Sequence, residues 1–269
     1  WTWAMADAMG GMPRPNTEHV VSFSGGLGSF MAAKRVIDKH GVDATTLLFT
    51  DTLTEDEDLY RFLNDTENFF GIKITQIKDG RDIWQVFNDV KFMGNSRIDP
   101  CSKHLKRELA KRWMRKNVNP ANSVLHFGIG WDEINRMTAI KKNWHPYQVS
   151  APLTEPPLLT KADMINELEE IGIKPPRLYE MGFAHNNCGG FCVKTGQAQF
   201  ALLLKQMPER YAYHENKQEQ LFERIGKHGF IRMTRNKKMQ YMTLKEFRQH
   251  VEAKGQIDKH DIGGCACFI

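Results

Sequence analysis

What this 269-residue chain lacks bounds what it can be. No apolar run approaches the roughly 20 residues of a membrane-spanning helix, and residues 1–15 lack the basic start and apolar centre of a secretory signal peptide. The expectation is a cytoplasmic globular protein. Neither an internal repeat nor a low-complexity tract interrupts it. Cysteine is sparse, at five, and disulfides are not expected in a cytosolic chain. Two common phosphate-binding signatures are also missing from its first glycine-rich turn: the Lys-Ser/Thr pair of the usual phosphate loop, and the Gly-x-Gly-x-x-Gly dinucleotide fingerprint. A composition of 41% hydrophobic and 26% charged residues is ordinary for one large domain, or one domain with an appendage. The net charge of +5 suits anionic ligands without specifying nucleic acid.

The most informative stretch is residues 22–29, Ser22-Phe23-Ser24-Gly25-Gly26-Leu27-Gly28-Ser29. It joins an extended run to a helix with apolar periodicity. A strand ending in a Ser/Gly turn before a helix collects backbone N–H groups, hydroxyls and the positive end of a helix dipole around one point, which suits a pyrophosphate.

Strand and helix signals alternate along the chain. Residues 19–23, 45–50, 72–77 and 123–129 read as strands, and residues 29–40, 56–70, 82–92 and 160–171 as helices, with a basic helix near residues 103–116. Short apolar strands alternating with helices predict an α/β fold, a doubly wound and mostly parallel sheet of Rossmann-like type. Ligands of such sheets gather at the carboxyl ends of the strands. The chain divides into a 1–17 extension, an 18–172 nucleotide-binding domain, and a smaller, mainly helical 173–269 subdomain, with Pro175-Pro176 marking the break.

Other loops at strand ends carry chemistry. Asp51 and Thr52 follow the second strand, where an acid can accept from a ribose hydroxyl or hold magnesium; Thr54, Glu55, Asp56 and Glu57 read as a helix cap. Lys103 and Lys106, at i and i+3, share one face of a first helical turn and could neutralise phosphate or sulfate, though the basic run around them reads foremost as a solvated helix face. Gly128 and Gly130 allow close backbone approach, with Asp132, Glu133 and Arg136 following. Arg232, Arg235, Lys237 and Lys238, set between Phe230 and Tyr241, are a basic and aromatic mixture that could grip a nucleic acid strand.

Cys188 and Cys192 stand four apart, which puts both sulfurs on one side if the segment is helical, and Cys265 and Cys267 close the chain. Two close pairs make a four-thiolate site for zinc or an iron–sulfur cluster, between which spacing does not choose. Unliganded thiols are the alternative. His185, Asn186 and Asn187 precede the first pair and either orient it or form a turn.

Taken in order, these motifs resemble one family. Ser-Gly-Gly-x-x-Ser at residues 24–29 resembles the loop of the PP-loop (adenine nucleotide alpha hydrolase) superfamily. Cys-Ser-Lys-x-x-Lys at 101–106, Gly-Ile-x-x-Asp-Glu-x-x-Arg at 128–136, Ala151-Pro152-Leu153, and Leu178-Tyr179-x-x-Gly182-Phe183 ahead of Cys188 follow the order of its phosphoadenosine phosphosulfate reductase branch, which includes sulfurtransferases of DNA phosphorothioation. The resemblance spans residues 20–192. It implies an enzyme that binds ATP with Mg2+ and cleaves it to AMP and pyrophosphate to activate an acceptor, with sulfur transfer to nucleic acid as one outcome. By that likeness Ser24, Gly25, Gly26 and Ser29 would bind phosphates, Asp51 and Thr52 flank the nucleotide, and Lys106 and Arg136 face its anionic groups; with the loop residues Ser22, Leu27, Gly28, Lys103 and Gly128 these are the expected nucleotide-holding set, and Lys106, Asp51 and Arg136 the expected catalytic residues. The alternatives are a sulfonucleotide reductase, with Cys265 or Cys267 as a mobile nucleophile, and a non-catalytic nucleotide-binding accessory of a nucleoprotein complex. Oligomeric state is left open. The chain departs from the family where many relatives carry Asp, here Gly28, and where reductases carry Arg, here Gly130.

Overall fold

The computed structural model describes residues 17–235 and 238–264. The N-terminal extension up to residue 16, Lys237, and the tail pair Cys265 and Cys267 lie outside the described residues.

Strand β1 (Glu18–Ser22) starts in the middle of the sheet. Its flanks are β2 (Thr45–Asp51) and β4 (Ser123–Phe127), with β3 (Thr75–Lys78) and β5 (Gln148–Ser150) at the edges, and every pairing is parallel. The order β3-β2-β1-β4-β5 is that of a doubly wound sheet, as the alternating pattern predicts. Val20 and Val21, on opposite faces of β1, are both fully buried, because helices cover the sheet on each side. Against one face pack α1 (Leu27–His40), α2 (Glu57–Phe70) and α7 (Lys161–Glu170), around Phe23, Phe30, Phe49 and Phe62. The other face meets α5 (Leu109–Asn117) and α6 (Met137–Trp144) around Met114, Phe127 and Trp144. The chain winds outward from β1 to β3 and then crosses back to β4. This reversal leaves a crevice between the carboxyl ends of β1 and β4.

A second lobe is built from α8 (Arg177–Glu180), α9 (Gln197–Gln206), α10 (Pro208–Ile225), α11 (Leu244–Glu252) and an antiparallel hairpin of β6 (Ile231–Arg235) and β7 (Lys238–Met242). Its core of Phe183, Phe191, Phe200, Tyr211, Phe230 and Phe247 also takes in Ile83, Trp84, Val86 and Phe87 from α3 (Ile83–Val90). The sheet domain thus lends a helix to its neighbour.

Several boundaries differ from the sequence reading. Residues 72–74 are not strand: Gly71 ends α2 in the left-handed region, and the Ile74 amide is held by the Glu67 carboxylate at 2.9 Å. β5 is too short to show alternation, and β6 and β7 were hidden because the hairpin is polar and half exposed. The basic helix is wound in three parts, α4 (Pro100–Ser102), a π segment (Lys103–Glu108) and α5. Among the described residues no helix is long and apolar enough to cross a membrane.

Candidate active site

The crevice at the end of β1 and β4 holds a cavity of about 500 Å³. The loop after β1 forms its floor. Gly25 sits at φ +73°, and a β-carbon there would lie 2.1 Å from the Leu59 Cδ1, so only glycine fits the turn. Gly26 caps α1, and Ser29 folds back on it: its Oγ donates to the Gly26 carbonyl at 2.8 Å and accepts the Gly26 amide at 3.1 Å. Ser24 Oγ lies 3.3 Å from Ser29 Oγ. Ser22, Ser24, Gly26, Leu27, Gly28 and Ser29 all line the cavity.

Gly28 meets the loop after β4 backbone to backbone. A β-carbon on Gly28 would stand 2.7 Å from the Gly128 carbonyl oxygen, and one on Gly128 would stand 2.5 Å from the Gly28 carbonyl carbon. Glycine at 28 therefore has a packing cause: a side chain there would push the two central loops apart.

Lys106 enters from the π segment. It is 4% exposed, lines the cavity, and places its Nζ 3.4 Å from the Oε1 of Glu55, which is buried as well. The reading of the basic run as a solvated face fails here. The wider π winding also separates Lys103 from Lys106, so the shared face expected for an α-helical i, i+3 pair is not formed. Lys103 is exposed and lies 3.7 Å from Glu108. Glu55 in turn is no cap: its Oε1 accepts from Thr52 Oγ1 at 2.9 Å and its Oε2 from the Cys188 amide at 2.6 Å. Asp56 is the cap of α2, and it also pairs with Arg177 and Arg210.

The remaining walls come from the loop after β4 and from residues 159–187. Gly128, Gly130, Asp132 and Arg136 line one side, with Arg136 ion-paired to Glu133, whose carboxyl burial pushes up against the pull of that guanidinium. Opposite stand Lys161, Tyr179, His185 and Asn186. Tyr179 Oη accepts the Leu27 amide at 3.3 Å, and Lys161 donates to the Phe183 carbonyl at 3.1 Å while lying 4.6 Å from the Tyr179 ring centre. Burial lowers the Lys161 pKa. The His185 pKa is lowered by burial first and then by the charges of Lys161 and Arg136, which favours a neutral imidazole.

Most of the residues expected from sequence therefore converge, but four, Gly25, Asp51, Thr52 and Lys103, do not line the cavity. Asp51 Oδ1 is engaged by the Leu53 amide at 2.8 Å and the Tyr60 hydroxyl at 3.0 Å. Gly25 serves through its shape and its carbonyl. Glu55, Lys161 and Asn186 had no assigned role at the cleft, and Tyr179 was visible only as part of a motif.

The first cysteine pair is not helical. Cys188 and Gly189 take φ of 49° and 58°, and Phe191 is extended, so the two sulfurs are not set on one helix face. Cys188 is buried and Cys192 half-buried. Among the described residues no three His, Cys, Asp or Glu side chains are grouped to hold a metal. The chain does return to this turn: Thr195 bridges Gly263, and the Gly264 amide donates to the Lys194 carbonyl at 3.3 Å.

No family model matches the chain, and no curated protein matches it. Among solved structures it is similar to a phosphoadenylyl-sulfate (PAPS) reductase from Candida auris in a phosphate complex, at 15% identity and a TM-score of 0.44, over 63% of this chain and 79% of that one. It is also similar to a predicted subunit of tRNA methyltransferase from Methanocaldococcus jannaschii, at 17% identity and a TM-score of 0.34, over 60% and 90% of the two chains.

Proposed function

We propose that this chain is a PP-loop ATP pyrophosphatase of the phosphoadenosine phosphosulfate reductase type. In this reading an acceptor oxygen attacks the α-phosphorus of ATP, the bond to the β-phosphate oxygen breaks, and pyrophosphate leaves while the acceptor carries AMP. The observation that carries the proposal is the crevice between β1 and β4, in which a Ser/Gly turn opening α1 faces Lys106, Arg136 and Lys161 across one cavity. Backbone amides of the turn and the positive end of α1 suit the phosphates. Lys106, now neutralised by Glu55, would share its charge with the pyrophosphate as negative charge grows there. Neutral His185 is suited to take the proton of the acceptor.

Magnesium fits less well where it was first expected, since Asp51 is engaged elsewhere; Asp132 is the cleft carboxylate that makes no ion pair among the described residues and would hold it. When bound, the ion screens the phosphates and assists departure of pyrophosphate. The four-cysteine site is supported by the Gly264 bond to Lys194, because Gly264 directly precedes Cys265 and Lys194 lies two residues beyond Cys192. Zinc would make that site a clamp, and a [4Fe-4S] cluster would favour sulfur transfer. The exposed Tyr241 beside the basic residues of the hairpin supports a nucleic acid partner.

The test is ATP-dependent pyrophosphate release by anaerobically purified protein, with metal and iron–sulfur content determined on the same sample. Lys106→Met is expected to lower release by roughly 10²-fold. Conversion of phosphoadenosine phosphosulfate with thioredoxin, without ATP cleavage, would replace this reading with a reductase. Nucleotide binding with no turnover of either compound would leave an accessory protein.

A further inference from the structure

Asn186 is 2% exposed, lies in the wall of the cleft, and touches the phosphate turn directly. Its Nδ2 donates to the Gly25 carbonyl at 2.9 Å. A carbonyl can only accept, so this bond fixes which way the amide points. The Oδ1 is left buried without a hydrogen-bond partner. Such an acceptor is costly to leave unmet, and here it belongs to a side chain in the wall of the cavity where the nucleotide is proposed to sit.

The chemistry of the surroundings narrows what would meet it. Phosphate oxygens ionised at neutral pH carry no proton to donate, so the phosphates themselves are excluded. A lone neutral amide oxygen is a poor seat for a cation, which needs several oxygens and prefers carboxylates, such as that of Asp132 in the same cleft. Among the groups that a bound nucleotide carries, those able to donate to the Asn186 oxygen are a neutral ribose hydroxyl and the base amine. We propose that Asn186 Oδ1 is a specificity-determining contact that accepts a hydrogen bond from the nucleoside part of the nucleotide, through a ribose hydroxyl or the base amine, while its Nδ2 keeps the Gly25 turn open for the phosphates. One side chain then couples the shape of the phosphate turn to recognition of the nucleoside. The inference rests on the proposal that the cleft takes ATP.

The experiment compares four probes on the full chain by calorimetry: ATP, 2′-deoxy-ATP, 3′-deoxy-ATP and purine riboside triphosphate, which lacks the amine. Wild-type protein is expected to bind one of the three analogues about 10-fold or more weaker than ATP, the loss of one hydrogen bond to a buried acceptor. In Asn186→Ala, ATP should weaken to the level of that analogue, so that the ratio between them falls to about one. A merely structural role would weaken all four probes together and keep the ratio, which would overturn the proposal. Equal binding of all four probes by wild type would overturn it as well. Asn186→Ser, which retains a donor for the Gly25 carbonyl, provides the same ratio if the alanine variant does not fold. Failure of wild type to bind ATP at all would instead bring down the ATP reading, and this inference with it.

Discussion

At the scale of single residues, one β-carbon decides whether the two central loops can meet. Gly28→Ala places a methyl group 2.7 Å from the Gly128 carbonyl oxygen. It is expected to cost about 1–3 kcal/mol in urea denaturation, as overpacking does, and to weaken nucleotide binding in the same sample; the larger and charged Gly28→Asp should do so more strongly. An unchanged midpoint and affinity would show that the loops yield. Lys106 and Glu55 make the opposite kind of site, a buried pair in which each charge depends on the other. Lys106→Met alone should cost about 3–5 kcal/mol by leaving a buried carboxylate uncompensated, while the double variant with Glu55→Gln should recover much of that loss. Denaturation midpoints of the three proteins would reveal the recovery or its absence. Lys106 was legible in the sequence because its motif stood in order with the others. Glu55 was not, since an acid just before a helix reads as a cap, and only contacts with residues 106 and 188 reveal its other role.

At the scale of elements, strands were legible where both sheet faces are covered and the run is continuously apolar, as in β1, β2 and β4. Local signals failed where tertiary contacts set the geometry, in the π segment and at the turn of Cys188. A feature no periodicity announces is the histidine cluster that joins β1, β4 and α1. His19 Nδ1 lies 2.9 Å from His126 Nε2, and the His19 ring stacks on His40 at 3.7 Å. Burial first, and then the neighbouring His and Lys charges, hold His19 down to about 4 and His126 to about 3. In the unfolded chain the same imidazoles titrate near 6.5. The unfolded state therefore binds more protons between those values, and stability should fall as pH drops below about 6.5 and level off only near 3–4. Denaturation midpoints followed from about pH 7.5 to about pH 5 should decline through that window; a flat profile would mean that the cluster accepts protons without strain on the fold.

At the scale of the whole molecule, the two lobes are stitched by residues distant in sequence. Asp56 takes Arg177 and Arg210, and Glu55 takes the amide of Cys188, so the cap of α2 is also a fastening for the second lobe. The sequence marked a change of composition near residue 173, but it carried no sign that α3 crosses over to the other core, because an amphipathic helix does not declare which surface it will cover. That crossing has a consequence for the order in which the protein is made. During synthesis the sheet strands emerge first, and α3 emerges with them, yet the side chains that bury Ile83, Trp84 and Phe87 follow roughly a hundred residues later. A chain halted near residue 172 would hold an assembled sheet carrying an uncovered tryptophan and phenylalanine. Expressed alone, such a fragment should bind a hydrophobic dye and associate at micromolar concentration, whereas the full chain should not. If the fragment behaves so, the nascent protein is expected to pass through an interval in which it is folded enough to collapse and still adhesive.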